Sequence, residues 1–168
     1  EAIDTYGQVI AADVRPTRAE AIYRTLLLLD RTGEIDPVKA TETLSAEVML
    51  WRGNALEAEM QKLLAELYFR NKQYRLGFET VKQATAHYPD NRAVNALLAE
   101  AQEVFVDLYL NGHADELDPV AALSLFYDFR QLTPPGQRGD EMIRNLARRL
   151  VKVDLLTQAG DLLEYQID

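Results

Sequence analysis

Apolar residues along the chain recur at intervals of three and four, the period of an α-helix with one buried face. The run at 17–31, opened by Pro16, carries Ile22, Leu26 and Leu29 and predicts a first helix. Thr32-Gly33 breaks it. Asp36-Pro37 then has the form of an N-cap followed by proline at the first helical position, where the missing N–H costs nothing. That second helix reaches about 52, where Gly53-Asn54 ends it. Residues 55–70 place Met60, Leu63, Leu64 and Leu67 on one face before the polar Asn71-Lys72 turn, and a fourth helix covers about 73–87. Tyr88-Pro89-Asp90-Asn91 stops it, with Asp90 or Asn91 as the cap of a long fifth helix carrying Leu97, Leu98, Ala101, Phe105 and Leu108. Asn111-Gly112 closes that helix, and Asp118-Pro119 repeats the cap-plus-proline start for a sixth. Pro134-Pro135-Gly136 ends the sixth, because consecutive prolines cannot continue a helix. A seventh begins near 140, and an eighth, from about 154, holds Leu155, Leu156, Ala159, Leu162 and Leu163. Residues 1–15 contain Ile3, Val9 and Ile10 without a clean period and are left open between helix and coil. Eight helices joined by short loops predict an all-α chain with antiparallel neighbours.

The order of small and large residues repeats. Within 58–91, Leu64, Ala65 and Tyr68 lie on one helix and Gly77, Val81 and Pro89 follow on the next. Small residues belong where two helices cross closely, and large ones fill the grooves beside them. Ala122, Phe126 and Pro134 keep the second-helix spacing, and Ile143, Leu146, Ala147, Leu150, Ala159 and Leu163 reproduce the large, Leu, small, large, small, large order. This arrangement resembles the tetratricopeptide repeat of about 34 residues, with Gln61 departing from the expected Trp or other large apolar residue.

The resemblance covers about 17–167. It implies a right-handed α-α superhelix, a solenoid of about four antiparallel hairpins at about 17–52, 55–87, 91–132 and 140–167, within a repeat domain at 16–168. A plain helical bundle is the alternative architecture. Displacing the sequence by 82 residues aligns Asp36-Pro37-Val38 with Asp118-Pro119-Val120, Ala40 with Ala122, and Leu64-Ala65 with Leu146-Ala147, so the unit is a pair of hairpins. At Gly77, in a small slot, Leu should overpack the crossing at a cost of about 1 to 3 kcal/mol, while Ala should fit. The eighth helix halts about where its partner would reach Pro89, and Glu1 opens without an initiator Met, so the chain is expected to be part of a longer one.

Composition narrows the function classes. With 168 residues, 48% hydrophobic and 27% charged, the chain matches one ordinary globular domain. A net charge of −9 argues against general nucleic-acid binding, which needs surplus Lys and Arg on the contacting face. The four leucines at 26–29 fall far short of the roughly 20 apolar residues of a membrane span, so no membrane insertion is expected. Cysteine is absent, which excludes disulfides and Cys-ligated zinc but chooses no compartment.

Chemistry is sparse. No glycine loop suited to a phosphate follows a strand pattern. His87 and His113 lack metal-ligand spacing, and the acidic loops at 33–36 and 115–118 lack the ligand order of a calcium site. Neither a cofactor nor a metal nor a catalytic residue is expected. The carboxylate pairs Glu57 and Glu59, and Asp161 and Glu164, read as helix surface, and Trp51 as either an exposed anchor or a residue buried against the next hairpin.

The resemblance also implies where recognition occurs, since the first helix of each hairpin in such arrays lines the concave surface. On the seventh helix Ile143, Leu146, Ala147 and Leu150 take the packing slots, leaving Arg144, Asn145, Arg148 and Lys152 on the open side. Arg144, Arg148 and Lys152 follow at intervals of four and share one face. Guanidinium forks suit carboxylates, so an acidic peptide or protein segment is the expected partner. The plain alternative is a solvated cationic face or one paired within the chain. The equivalent face of the third helix, Lys62, Glu66 and Phe69, departs from the pattern of the family's carboxylate clamps. The expected function is a non-catalytic protein-interaction scaffold. Its alternatives are an accessory domain of an enzyme whose active site lies elsewhere and a helical small-molecule sensor.

Overall fold

A computed structural model describes residues 2–11, 15–50 and 55–165. Among them the chain is helical without strands, in the order α1 (Ala2–Ala11), α2 (Arg15–Thr32), α3 (Pro37–Leu50), α4 (Ala55–Arg70), α5 (Tyr74–His87), α6 (Arg92–Leu110), α7 (Pro119–Asp128), α8 (Gln137–Lys152) and α9 (Leu156–Tyr165). Two 3-10 turns, His113–Glu116 and Arg130–Leu132, flank α7.

The caps set the starts. Asp36 Oδ1 accepts from the N–H groups of Val38 and Lys39 at 3.1 and 3.3 Å, and Asp118 Oδ1 from those of Val120 and Ala121 at 2.9 and 3.1 Å. Of the two candidates before α6, Asn91 is the cap, accepting from Ala93 and Val94 at 2.8 and 3.3 Å. Each bond satisfies a donor that the first helical turn leaves without an intrahelical acceptor. Past the C-terminal ends of α2 and α6, Gly33 and Gly112 take φ of +73° and +83°, the left-handed backbone that glycine adopts without strain. Helix boundaries keep the long period: Pro37 and Pro119, Ala55 and Gln137, Arg70 and Lys152, and Tyr74 and Leu156 each stand 82 residues apart.

The chain divides into two compact units, residues 1–98 and 99–168. In the first, Ile22, Tyr23 and Leu26 of α2, Leu44 of α3, and Met60, Leu63, Leu64 and Leu67 of α4 form one buried cluster. Full burial of a leucine contributes about 1.5–3 kcal/mol, so this cluster is the main favourable term holding α2, α3 and α4 together. Ile10 packs against it, which explains why residues 2–11 are helical despite their irregular pattern: α1 is held by tertiary contact rather than by its own period. Arg18 of α2 pairs with the buried Glu47 of α3 at 3.1 Å, and Arg70 of α4 makes a two-pronged pair with Asp30 of α2. The Arg70 hydrogen bond holds the Asp30 carboxyl below the usual carboxylate range.

Two expectations about this unit are corrected. Glu57 is not helix surface: it is 3% exposed and accepts from the Tyr88 hydroxyl at 2.5 Å and Gln61 Nε2 at 3.3 Å. The same contact explains the departure at Gln61, since a buried polar pair on one turn of α4 occupies the slot that a large apolar residue fills elsewhere. At Gly77 the crossing is tighter than a small slot requires. A Cβ there would lie 2.4 Å from Phe69 Cε1, so Ala is not accommodated without displacing that ring. Phe69 in turn packs on Phe78 at a centroid distance of 5.0 Å instead of standing on an open face. Trp51 and the Gly53-Asn54 break lie outside the described residues.

In the second unit Phe105, Tyr109 and Phe126 form an aromatic trio with centroid separations of 5.0, 5.4 and 5.9 Å. The buried Tyr109 hydroxyl donates to the Ala122 carbonyl at 2.8 Å, fixing α6 to α7. Helix α7 stops at Asp128 rather than continuing to 132. The switch to a 3-10 turn lets both Phe129 and Leu132 reach the interior, where each is buried. Helix α8 starts at Gln137, one turn earlier than expected. Asp154, at φ +63°, separates it from α9.

Candidate functional site

Helix α8 is strongly two-faced. Met142, Ile143, Leu146, Ala147 and Leu150 are buried, whereas Arg144, Arg148 and Lys152 are exposed at successive turns of the opposite side. Neither Arg144 nor Lys152 has an ion-pair partner among the described residues, and Arg148 donates to Asn145 Oδ1 at 2.9 Å. Asn145 is half-buried and donates from Nδ2 to the Tyr109 carbonyl at 3.2 Å. The amide thus ties α8 to the end of α6 and holds the Arg148 guanidinium on its other side.

Arg149, which the four-residue stripe omits, does a different job. Its guanidinium donates to the carbonyls of Ala114 and Leu117 and, at 3.0 Å, of Asp115, and its Nε stands 3.2 Å from the Asp115 carboxylate. A fork of fixed donors suits several convergent acceptors. Arg149 therefore binds the loop between α6 and α7 onto α8 and is not available to a ligand in the same way. The only sequence signal for it is a cation one position off the stripe, at the place equivalent to the buried Leu67 of α4.

These segments enclose a groove of about 330 Å³, lined by the end of α6 and Asn111, by the loop from Gly112 to Asp115, and by Asn145, Arg148, Arg149 and Lys152 of α8. Arg144 does not line it and stands one turn away. The structure therefore gathers three of the four predicted residues at one opening. The volume lies at the lower end for ligand pockets, enough for one or two side chains of an extended segment. Asp115 is the acidic residue among those lining the groove, and Arg149 already engages its carboxylate.

The equivalent positions of the first unit show what makes this face distinct. Asn145 and Arg149 stand where α4 has the buried Leu63 and Leu67, so polar tethers, from Asn145 to the Tyr109 carbonyl of α6 and from Arg149 to loop carbonyls, replace core leucines. Arg144 and Arg148 stand where α4 has Lys62 and Glu66, which pair with each other along the helix. Lys152 stands where Arg70 pairs with Asp30. Lys62 and Arg70 of α4 are thus neutralised within the chain, whereas their counterparts on α8, Arg144 and Lys152, have no ion-pair partner among the described residues. Among the described residues no group of three His, Asp or Glu is placed to hold a metal ion, and no helix is long and apolar enough to cross a membrane.

No family model matches the chain, and no curated protein matches it. A solved structure does: that of a Podospora anserina protein described as a kinesin light chain with nearly identical TPR-like repeats. It matches with a TM-score of 0.53 at 18% identity, over 97% of this chain and 82% of that one. The chain has a TPR-like helical-repeat fold.

Proposed function

We propose that the chain is a non-catalytic interaction segment whose TPR-like fold presents the basic face of α8 to an acidic stretch of a protein or peptide partner. The observation that carries this reading is the combination of open cations and a groove. On a chain of net charge −9, Arg144, Arg148 and Lys152 share one helix face without an ion-pair partner among the described residues, and two of them line the groove. Charge-assisted hydrogen bonds from Arg148, held by Asn145, orient a carboxylate, while Lys152 adds a mobile point charge. In the geometry of tetratricopeptide arrays this first-helix face is also the one turned towards a ligand, which supports the same reading.

The test is fluorescence anisotropy with a labelled Glu- and Asp-rich peptide. Replacing both Arg148 and Lys152 with Ala should weaken binding about two- to thirty-fold, because exposed ion pairs contribute about 0.2–1 kcal/mol each. Arg144→Ala should weaken it less, since Arg144 does not line the groove. Added salt should weaken binding to the parent chain, since screening shortens the reach of exposed charges to about 8 Å at physiological ionic strength. Unchanged affinity of the double variant, with its helical signal intact, would remove the site.

A further inference from the structure

We propose that Asn111, at the lip of the α8 groove, is a site of spontaneous deamidation through a succinimide, and that the resulting carboxylate closes the groove to acidic ligands. The modification stands on the local structure alone. Its effect on binding rests on the reading of the groove as an acceptor of acidic segments.

Three observations converge on Asn111. The chain has six asparagines, and Asn111 is the one followed by glycine; the others precede Ala55, Lys72, Arg92, Ala96 and Leu146, whose side chains crowd the amide nitrogen that must attack. Gly112 has φ +83°, a conformation open to glycine, and its N–H has no hydrogen-bond partner among the described residues. By contrast, the N–H of Lys72 is held by the Phe69 carbonyl at 3.0 Å, and the amides following Asn95 and Asn145 lie inside helices. Finally, Asn111 and Gly112 are both exposed, just past the last residue of α6. The restraint on the Asn111 amide among the described residues is its bond from Nδ2 to Asp107 Oδ1, an exposed contact for which water competes.

The chemistry needs only water. The Gly112 nitrogen, losing its proton to solvent, bonds to Asn111 Cγ. The Cγ–Nδ2 bond then breaks, and the nitrogen leaves as ammonia after taking a proton from solvent. Water adds to either carbonyl of the succinimide and opens the ring to aspartate or to the β-linked isoaspartate. The sum is one amide and one water converted to one carboxylate and one ammonium, with no redox change.

Position gives the exchange its consequence. Asn111 shares the groove with Arg148 and Lys152, so the new anion is supplied to the cations that an acidic ligand would use. It also loses the donor that bonded Asp107, and it adds a second carboxylate at the C-terminal end of α6, where the helix dipole disfavours anions. Both effects turn the new carboxylate towards the groove cations.

Peptide mapping of the full chain aged in warm, mildly alkaline buffer tests the site, with isoaspartate detected enzymatically. Conversion at Asn111 should run ahead of the other five asparagines, and the Asn111→Gln chain should show none at that position. Conversion elsewhere first, or conversion of Asn111 only in the urea-unfolded chain, would overturn the site. The Asn111→Asp chain should bind the acidic peptide several-fold more weakly than the parent, and equal affinity would overturn the closing role. Failure of the parent chain to bind any acidic peptide would count against the proposed function, and with it the closing role, while the mapping still decides the modification.

Discussion

Replacing Gly77 with Ala puts the close crossing of α4 and α5 to a quantitative test. The added Cβ would stand 2.4, 2.6 and 3.0 Å from Phe69 Cε1, Cδ1 and Cζ, against about 3.5–4.0 Å for ordinary carbon contacts. The ring must therefore move by roughly 1 Å. Forcing it off its rotamer costs about 0.5–1.5 kcal/mol. Disturbing its tilted contact with Phe78, at 5.0 Å and 56°, costs up to a similar amount. Against this, alanine in a helix interior is favoured over glycine by about 1 kcal/mol. The expected net effect of Gly77→Ala is a loss of about 0–2 kcal/mol, where an unhindered helix would gain. Gly77→Leu should lose about 1–3 kcal/mol more. The decisive comparison is a double-mutant cycle with Phe69→Ala, which removes the obstructing ring. In that background Gly77→Ala should stabilise by about 1 kcal/mol, giving a coupling of about 1–3 kcal/mol. Urea midpoints of the four proteins, with equal slopes, measure it. A gain of equal size in both backgrounds, and so no coupling, would refute the crossing geometry.

Gly139→Ala should be worse than Gly77→Ala, because its Cβ would lie 2.3 Å from the Pro134 carbonyl oxygen, a backbone atom that cannot swing aside. A loss of about 1–3 kcal/mol in urea denaturation is expected, despite the gain in helix propensity. Tyr23 predicts an alkaline limb. Burial and then the nearby Glu59 push its hydroxyl up to about 12, from an ordinary value of about 10. Above pH of about 10 the unfolded chain releases this proton while the folded chain keeps it. Stability should therefore fall by up to about 1.4 kcal/mol per pH unit until about pH 12. Tyr23→Phe should flatten that limb in urea midpoints measured across the range.

Elements with local chemical causes could be read from the sequence. Asp36-Pro37 and Asp118-Pro119 carry both a capping oxygen and a proline preset for the first helical position, and both helices start at those prolines. Helix α4 runs over 55–70 as its apolar spacing requires. What could not be read depends on partners far along the chain. The helicity of 2–11 comes from packing of Ile10, the early end of α7 from burial of Phe129 and Leu132, and the burial of Glu57 from Tyr88.

The site divides in the same way. Periodicity places Arg144, Arg148 and Lys152 on one face, but the groove exists because loop carbonyls at 114–117 meet Arg149 and the Tyr109 carbonyl meets Asn145. A one-dimensional pattern does not contain those meetings. Nor does it show that Lys62 and Arg70 find internal partners while their counterparts on α8 do not.

Binding of an acidic segment at the open cations of α8, as proposed, can be followed residue by residue. Amide chemical-shift mapping of the isotope-labelled chain, titrated with a Glu- and Asp-rich peptide at low and high salt, tests it most directly. Binding at this face should give saturable shifts confined to the end of α6, the 112–117 loop and residues 144–152, diminishing as salt is raised. Shifts centred on another surface, or none at low salt, would contradict it.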